Sequence, residues 1–252
     1  MKMKKWLVLF RTEAVLYCRD VFSAFFTFAF PVLMLVLFGS IYRNAPTAYF
    51  DGLGSIDVSV PAYCAMILAV VGIMAFPLTL AQYKERKIYK RFDATPLGKG
   101  AVIAVQGAVS FSMAVLGFLL LFAVGFWAYG LRVAGNWALI AAFLLLCMAS
   151  IFALGFFFTA IAPTERICQL LCYIAYFLML FLSGASFPQE MLPETVRKIS
   201  ALLPLTHAVN VLRGAFRGAP WEEYQASVFV LCGVGLACAL AGALLYRKKN
   251  WA

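Results

Sequence analysis

Charge is absent from most of this chain. No Asp, Glu, Lys or Arg occurs in 21–42, 58–83, 100–131, 133–164, 167–189 or 224–246, and each of these six stretches exceeds 20 residues. A bilayer core about 30 Å thick is crossed by a helix of roughly 20 apolar residues, so every gap is long enough to span it. A mean hydropathy of +0.91 with 64% hydrophobic residues excludes an ordinary soluble domain. The chain reads as an all-α integral membrane protein with six spans, at about 21–42, 58–82, 101–129, 136–162, 166–186 and 225–246, in one domain over 1–252.

Other absences narrow the chemistry. There is a single histidine, His207, a poor start for a metal site or a catalytic triad, and local hydrogen bonding is the expected role for it. The phosphate-binding pattern Gly-x-x-x-x-Gly-Lys-Ser/Thr does not occur, since Gly98-Lys99-Gly100 lacks both the upstream glycine and the hydroxyl. The chain is therefore not expected to be an enzyme that hydrolyses nucleotide, and no cofactor or metal is expected on it. No Asp, Glu, Lys, Arg or His lies mid-span, whereas proton- and ion-coupled carriers usually keep one there despite about 2.5–3.5 kcal/mol of insertion cost. Energy for any transport must then enter from outside the membrane. The seven cysteines sit almost entirely in apolar runs and read as small packing residues, including Cys168 and Cys172 at i, i+4. The basic N-terminus carries few apolar residues before Arg11 and no small-residue cleavage site, so no cleaved signal peptide is expected.

What charge there is has been sorted. Segments 1–20, 83–100, 163–166 and 247–252 hold 15 of the 21 basic residues and 5 of the 11 acidic ones, a net of +10. The alternate segments hold six of each and net zero. Lys and Arg stay cytoplasmic during insertion, which predicts both termini inside, in the plasma or inner membrane of a prokaryote. The high pI then reports topology and attraction to anionic lipid, not a nucleic-acid partner.

Three segments outside the spans carry pattern. In 4–19, Trp6, Phe10, Ala14, Tyr17 and Val21 fall on one stripe while Lys5, Arg11, Thr12 and Arg19 fall elsewhere, which predicts an amphipathic helix flat in the membrane interface. In the loop 83–100, Ile88 and Phe92 stand at i, i+4 with Tyr89 beside them, among Lys84, Arg86, Lys87, Lys90 and Arg91, and Pro96 ends the segment. A short surface helix of this kind suits docking into a soluble partner. Between spans five and six, 187–223 is too apolar for a solvated loop. Pro188, Pro193 and Pro204 divide it into helical pieces near 189–200 and 205–216, read as half-inserted outer helices, with a hairpin lying on the surface as the alternative. Pro31, Pro61 and Pro77 predict kinks in spans one and two. Phe177, Met179, Phe181 and Phe187 are candidates for lining a pathway, against the alternative that they face lipid.

Two motifs resemble a known family. Glu85 followed by Lys90-Arg91-Phe92-Asp93-Ala94-Thr95-Pro96-Leu97 is similar to the cytoplasmic helix of ABC-2 type transporter permeases, and Leu182-Ser183-Gly184-Ala185-Ser186-Phe187-Pro188, then Leu203-Pro204-Leu205-Thr206-His207-Ala208 and Leu212-Arg213, to their outer segment. Arg86-Lys87-Ile88 departs from the Gly-Thr common after the glutamate, and His207 stands where an aromatic residue is common. The resemblance implies the membrane half of an ATP-driven exporter, paired with a second copy or a related chain and with two copies of a separate ATPase subunit that holds ATP and Mg2+. It implies ATPase contacts through the first helix, including Trp6, Phe10 and Arg11, and through a coupling helix with Glu85, Ile88, Tyr89, Arg91 and Phe92. Spans one, two and five would surround the pathway, with Phe177, Phe181, Ser183, Gly184, Phe187, Pro188 and Pro204 along it or at its outer gate. A drug or lipid-like amphiphile is the expected cargo, a polysaccharide or lipo-oligosaccharide the alternative. A membrane assembly protein without transport activity is the alternative of another class.

Overall fold

The computed structural model describes residues 2–45, 52–93, 98–185 and 193–248, and among them it is helical with no β-strand. Helix α1 covers Lys2–Arg19. Span one, Val21–Tyr42, joins α2 (Val21–Ala24) to α3 (Phe30–Tyr42) through a π-helical turn at Phe25–Ala29. Span two, Ser55–Glu85, joins α4 (Ser55–Ala69) to α5 (Phe76–Glu85) through a second π turn at Val70–Ala75. The short α6 (Ile88–Asp93) follows, then α7 (Gly98–Tyr129), α8 (Trp137–Ile161) and α9 (Glu165–Leu182) as spans three to five. Helices α10 (Glu194–Ser200) and α11 (Pro204–Arg217) meet at 90°, and α12 (Gln225–Lys248) carries span six.

The prolines explain the π turns. Proline has no N–H to donate and its ring collides with the carbonyl four residues back, so the preceding turn widens. Pro31 and Pro77 each stand at the second residue of the α segment that follows a π turn. Pro61, by contrast, lies within α4 with no π turn before it, and the helix continues past it.

Span two is the axis of the bundle: 89% of its most apolar stretch is buried, against 22% for spans one and six. Close helix approach depends on small residues, because lipid removes the hydrophobic drive between apolar helices and leaves packing to hold them. At Gly155 of α8, a β-carbon would lie 1.9 Å from the Gly72 carbonyl oxygen of span two. Helices α8 and α12 are joined by Ser150, whose hydroxyl donates to the Leu231 carbonyl at 2.9 Å.

The two ends of the bundle differ as the charge sorting predicts. At one end α1 meets span two, α6 packs beneath spans two and three, the 162–165 turn adjoins span two, and Tyr246 of α12 lies against Phe156. All four basic segments therefore gather there. At the other end Asp57 ties three segments together: Oδ1 accepts from Asn44 Nδ2 at 3.0 Å and from the Arg132 backbone N–H at 2.8 Å, and Oδ2 from the Gly54 N–H at 3.3 Å. Helix α11 is buried along most of its length against α4, α8 and α12, whereas α10 is exposed along most of its own.

Candidate functional site

The loop after span two is built from consecutive opposite charges that cap two different helices. The Lys84 ammonium donates to the Ala162 carbonyl at 2.9 Å, at the C-terminal end of α8. The Glu85 carboxylate accepts the backbone N–H of Glu165, the first residue of α9, where the Thr164 hydroxyl also accepts from the Ile167 N–H at 3.3 Å. A cation at a helix C-terminus and an anion at an N-terminus each match the helix dipole and satisfy backbone groups the helix leaves open. The ends of spans two, four and five are thus held at two adjacent residues.

Helix α6 is then fastened to the bundle. Tyr89 is 1% exposed and packs with Phe76, Leu80 and Val102, with its hydroxyl 3.4 Å from the Leu80 carbonyl. Phe92 is half-buried against the same cluster, and so is Ile88 in its surroundings. The apolar side of the helix faces inward, and Arg86, Lys87, Lys90 and Arg91 face outward. Asp93 ends the helix, while Ala94, Thr95, Pro96 and Leu97 of the motif lie outside the described residues.

Helix α1 packs on span three through Leu9, Phe10, Ala14 and Tyr17, against Val105, Val109 and Met113. The middle of the predicted stripe therefore meets protein, whereas Trp6 and Val21 at its ends are exposed, as is Arg11. Sequence periodicity missed Glu13, which is 7% exposed and accepts from the Tyr83 hydroxyl at 2.8 Å. Burial raises the Glu13 carboxyl above its usual pKa of 4.5, opposed by the hydrogen bond from Tyr83 and by the nearby Gln106 amide.

Glu13 and Tyr83 also border a cavity of about 400 Å3 between α1 and spans two, three and five, with Ser23 of span one at its edge. Its walls are mostly polar, with Gln82, Gln106, Ser110 and Gln169 among them, and the rings of Phe76 and Tyr173 facing it. Nothing in the hydropathy pattern marks this space, because its residues are scattered along α1 and spans one, two, three and five.

At the opposite end the outer motifs converge. Ser183 is buried and its hydroxyl accepts from the Ala185 N–H at 3.3 Å. The Gly184 carbonyl accepts from Arg213 Nη2 at 2.9 Å, and the Leu182 carbonyl from the Ser200 hydroxyl at 2.6 Å. Gly184 has φ +82°, a left-handed conformation that favours glycine. Pro204 starts α11 and is buried. Phe187 and Pro188 lie outside the described residues. His207 bonds locally, with Nε2 donating to the Ala201 carbonyl at 2.9 Å and Nδ1 at 3.0 Å from the Ser227 hydroxyl.

Phe177 and Phe181 stack with ring centroids 6.4 Å apart on the outward face of α9, while Met179 turns inward. Ile167, Leu170 and Ile174 continue that face, so exposed apolar residues recur at 167, 170, 174, 177 and 181.

The profile of the ABC-2 type transporter family matches residues 4–216. Among similar curated proteins, Nodulation protein J of Rhizobium leguminosarum bv. viciae is 33% identical over 97 residues, 38% of each chain. The inner membrane transport permease YhhJ of Escherichia coli K12 is 27% identical over 180 residues, 70% of this chain and 42% of that protein. The probable multidrug ABC transporter permease YbhR of the same strain is 19% identical over 191 residues, 75% and 52% respectively. The chain thus spans between about two-fifths and half of the length of these relatives. With six candidate membrane-spanning helices among the described residues and a family match over 4–216, this chain belongs to the ABC-2 type transporter family.

Proposed function

We propose that this chain is the membrane permease of an ATP-driven exporter in the prokaryotic inner membrane, with both termini cytoplasmic, powered by a separate ABC ATPase subunit through α6. The observation that carries this reading is the pair of caps at Lys84 and Glu85, which join the base of α6 to the ends of α8 and α9. A push on α6 cannot be absorbed by a loose loop, because Tyr89 fastens it to the bundle. It passes to α9, whose far end is held to α11 by Arg213 and to α10 by Ser200. One rigid helix then links the surface where ATP would act to the outer helices, and nucleotide binding shifts the balance between their two arrangements.

The outward face of α6 presents Lys90 and Arg91, and the turn before it Arg86 and Lys87, so the groove that receives them is acidic. Trp6 and Arg11 on α1 extend the same contact. A second copy packs along the span-five face, where apolar residues repeat at the 3.5-residue spacing of paired helices. The cargo is an amphiphile. The polar cavity with aromatic walls favours one with a sugar head, the lipo-oligosaccharide reading, over a drug.

Two variants test the coupling when the chain is purified with its ATPase. Reversal of charge in Lys90→Glu/Arg91→Glu lowers co-purification about tenfold, a loss of about 1.4 kcal/mol. Glu85→Gln keeps the association, since Glu85 faces α9, but uncouples ATP hydrolysis from transport. Full co-purification of the charge-reversed chain would sink the docking surface, and normal transport by Glu85→Gln would sink the coupling route.

A further inference from the structure

We infer that the cavity between α1 and spans two, three and five binds a polyhydroxylated headgroup, a sugar unit carried on an alkyl chain. The inference rests on the permease reading for its biological role, as the place where cargo is first held, but not for the binding itself.

The starting point is Gln106. It is 3% exposed, it lines the cavity beside Glu13, whose ionised form its amide favours, and neither its amide oxygen nor its amide nitrogen is placed for a hydrogen bond of normal length and angle. A buried amide left in this state is unfavourable, and the space beside it must supply both a donor and an acceptor. That requirement discriminates between headgroups. A quaternary ammonium can neither donate to the amide oxygen nor accept from the nitrogen. A phosphate accepts but does not donate when ionised, and it would face Glu13 and Asp20 with no Lys, Arg or His among the lining residues. A hydroxyl group does both, and several hydroxyls on one ring can serve Gln106, Glu13 and Ser110 together.

The cavity's other properties agree. Its volume of about 400 Å3 lies in the range of small-molecule sites, roughly 300–1,000 Å3. The rings of Phe76 and Tyr173 offer apolar faces on which a sugar ring can lie while its hydroxyls reach the polar edges. Leu16 borders the cavity on α1 and is 47% exposed, which gives an attached alkyl chain a route to lipid. The position is at the end where the basic segments gather, the side on which an exporter would take up cargo.

The full chain in phospholipid nanodiscs, without ATPase, tests this with three photoreactive probes of equal alkyl length, carrying a glucoside, a trimethylammonium or a phosphate head. The glucoside probe should label peptides from α1 and α7, and unlabelled octyl glucoside should compete it away. Gln106→Leu should lower that labelling about tenfold, the effect of losing two hydrogen bonds. Ser110→Leu, which fills the cavity from the same helix, should do the same and carries the test if Gln106→Leu does not stay monodisperse. Equal labelling by all three heads, or undiminished labelling in a folded variant, would overturn the inference and leave a cavity filled by water or bulk lipid. Loss of ATPase association in wild-type protein would instead strike the permease reading and leave the binding result standing.

Discussion

At the scale of single residues, Glu13 shows how a charge in an amphipathic helix escapes a reading by composition. It sits among Lys, Arg and Thr on α1 and counts as one of the acids at the basic end, yet it is buried and bonded to Tyr83. Its raised pKa has a defined consequence. The fold favours the protonated form, so the associated stability is present below 4.5 and is lost as pH rises through the folded-state value. Glu13→Gln keeps an oxygen that can accept from Tyr83 but removes the buried charge. Thermal unfolding in detergent should show the variant more stable than wild type at neutral pH, with the gain shrinking as pH falls towards 4.5. A gain that grows on acidification would contradict the burial argument. Tyr89 carries the opposite lesson: placed by its spacing beside Ile88 and Phe92 as a contact for a partner, it anchors α6 from within.

At the scale of elements, the bundle depends on one crossing more than on any loop. Span two has its π turn at the point where α8 approaches, and Gly155 lets the backbones meet. Gly155→Ala places a methyl group against the Gly72 carbonyl, and neither helix can yield, because span two is buried on nearly all sides. Forced separation should cost about 1–3 kcal/mol, seen as a lower unfolding temperature in detergent. Gly233→Ala on α12, where a β-carbon meets nothing within 4 Å, is the control and should leave it unchanged. The prolines of spans one and two were readable as places of disturbance, but not which of them would be accommodated. Pro31 and Pro77 follow widened turns and Pro61 does not.

At the scale of the whole molecule, the unequal burial of the spans has consequences for assembly. Span two offers little surface, while spans one, five and six face outward. Span five has exposed apolar residues at 167, 170, 174, 177 and 181, the face on which we propose a second copy packs, and span six has its own exposed row at 229, 236, 240 and 244, so a crosslinking experiment must separate the two. Ile174→Cys in a Cys18→Ser background should form a disulfide-linked dimer under mild oxidation in membranes, whereas Leu240→Cys on span six should not. Cys18 is replaced because it is the exposed cysteine of the native seven. Equal crosslinking at both positions would mean random collision and no defined interface.

The number of spans, their approximate limits and the division of charge between the two ends followed from the sequence alone. Hydrophobic length and charge order are properties of a line, and the bilayer reads them as such. The tertiary structure decided the rest: which of the apolar residues of α1, α6 and α9 turn inward, and that Lys84 and Glu85 reach the ends of two helices some 80 residues away. Periodicity could not show this, because lipid-facing and core-facing side chains in a membrane are equally apolar, and only packing and hydrogen bonding tell them apart.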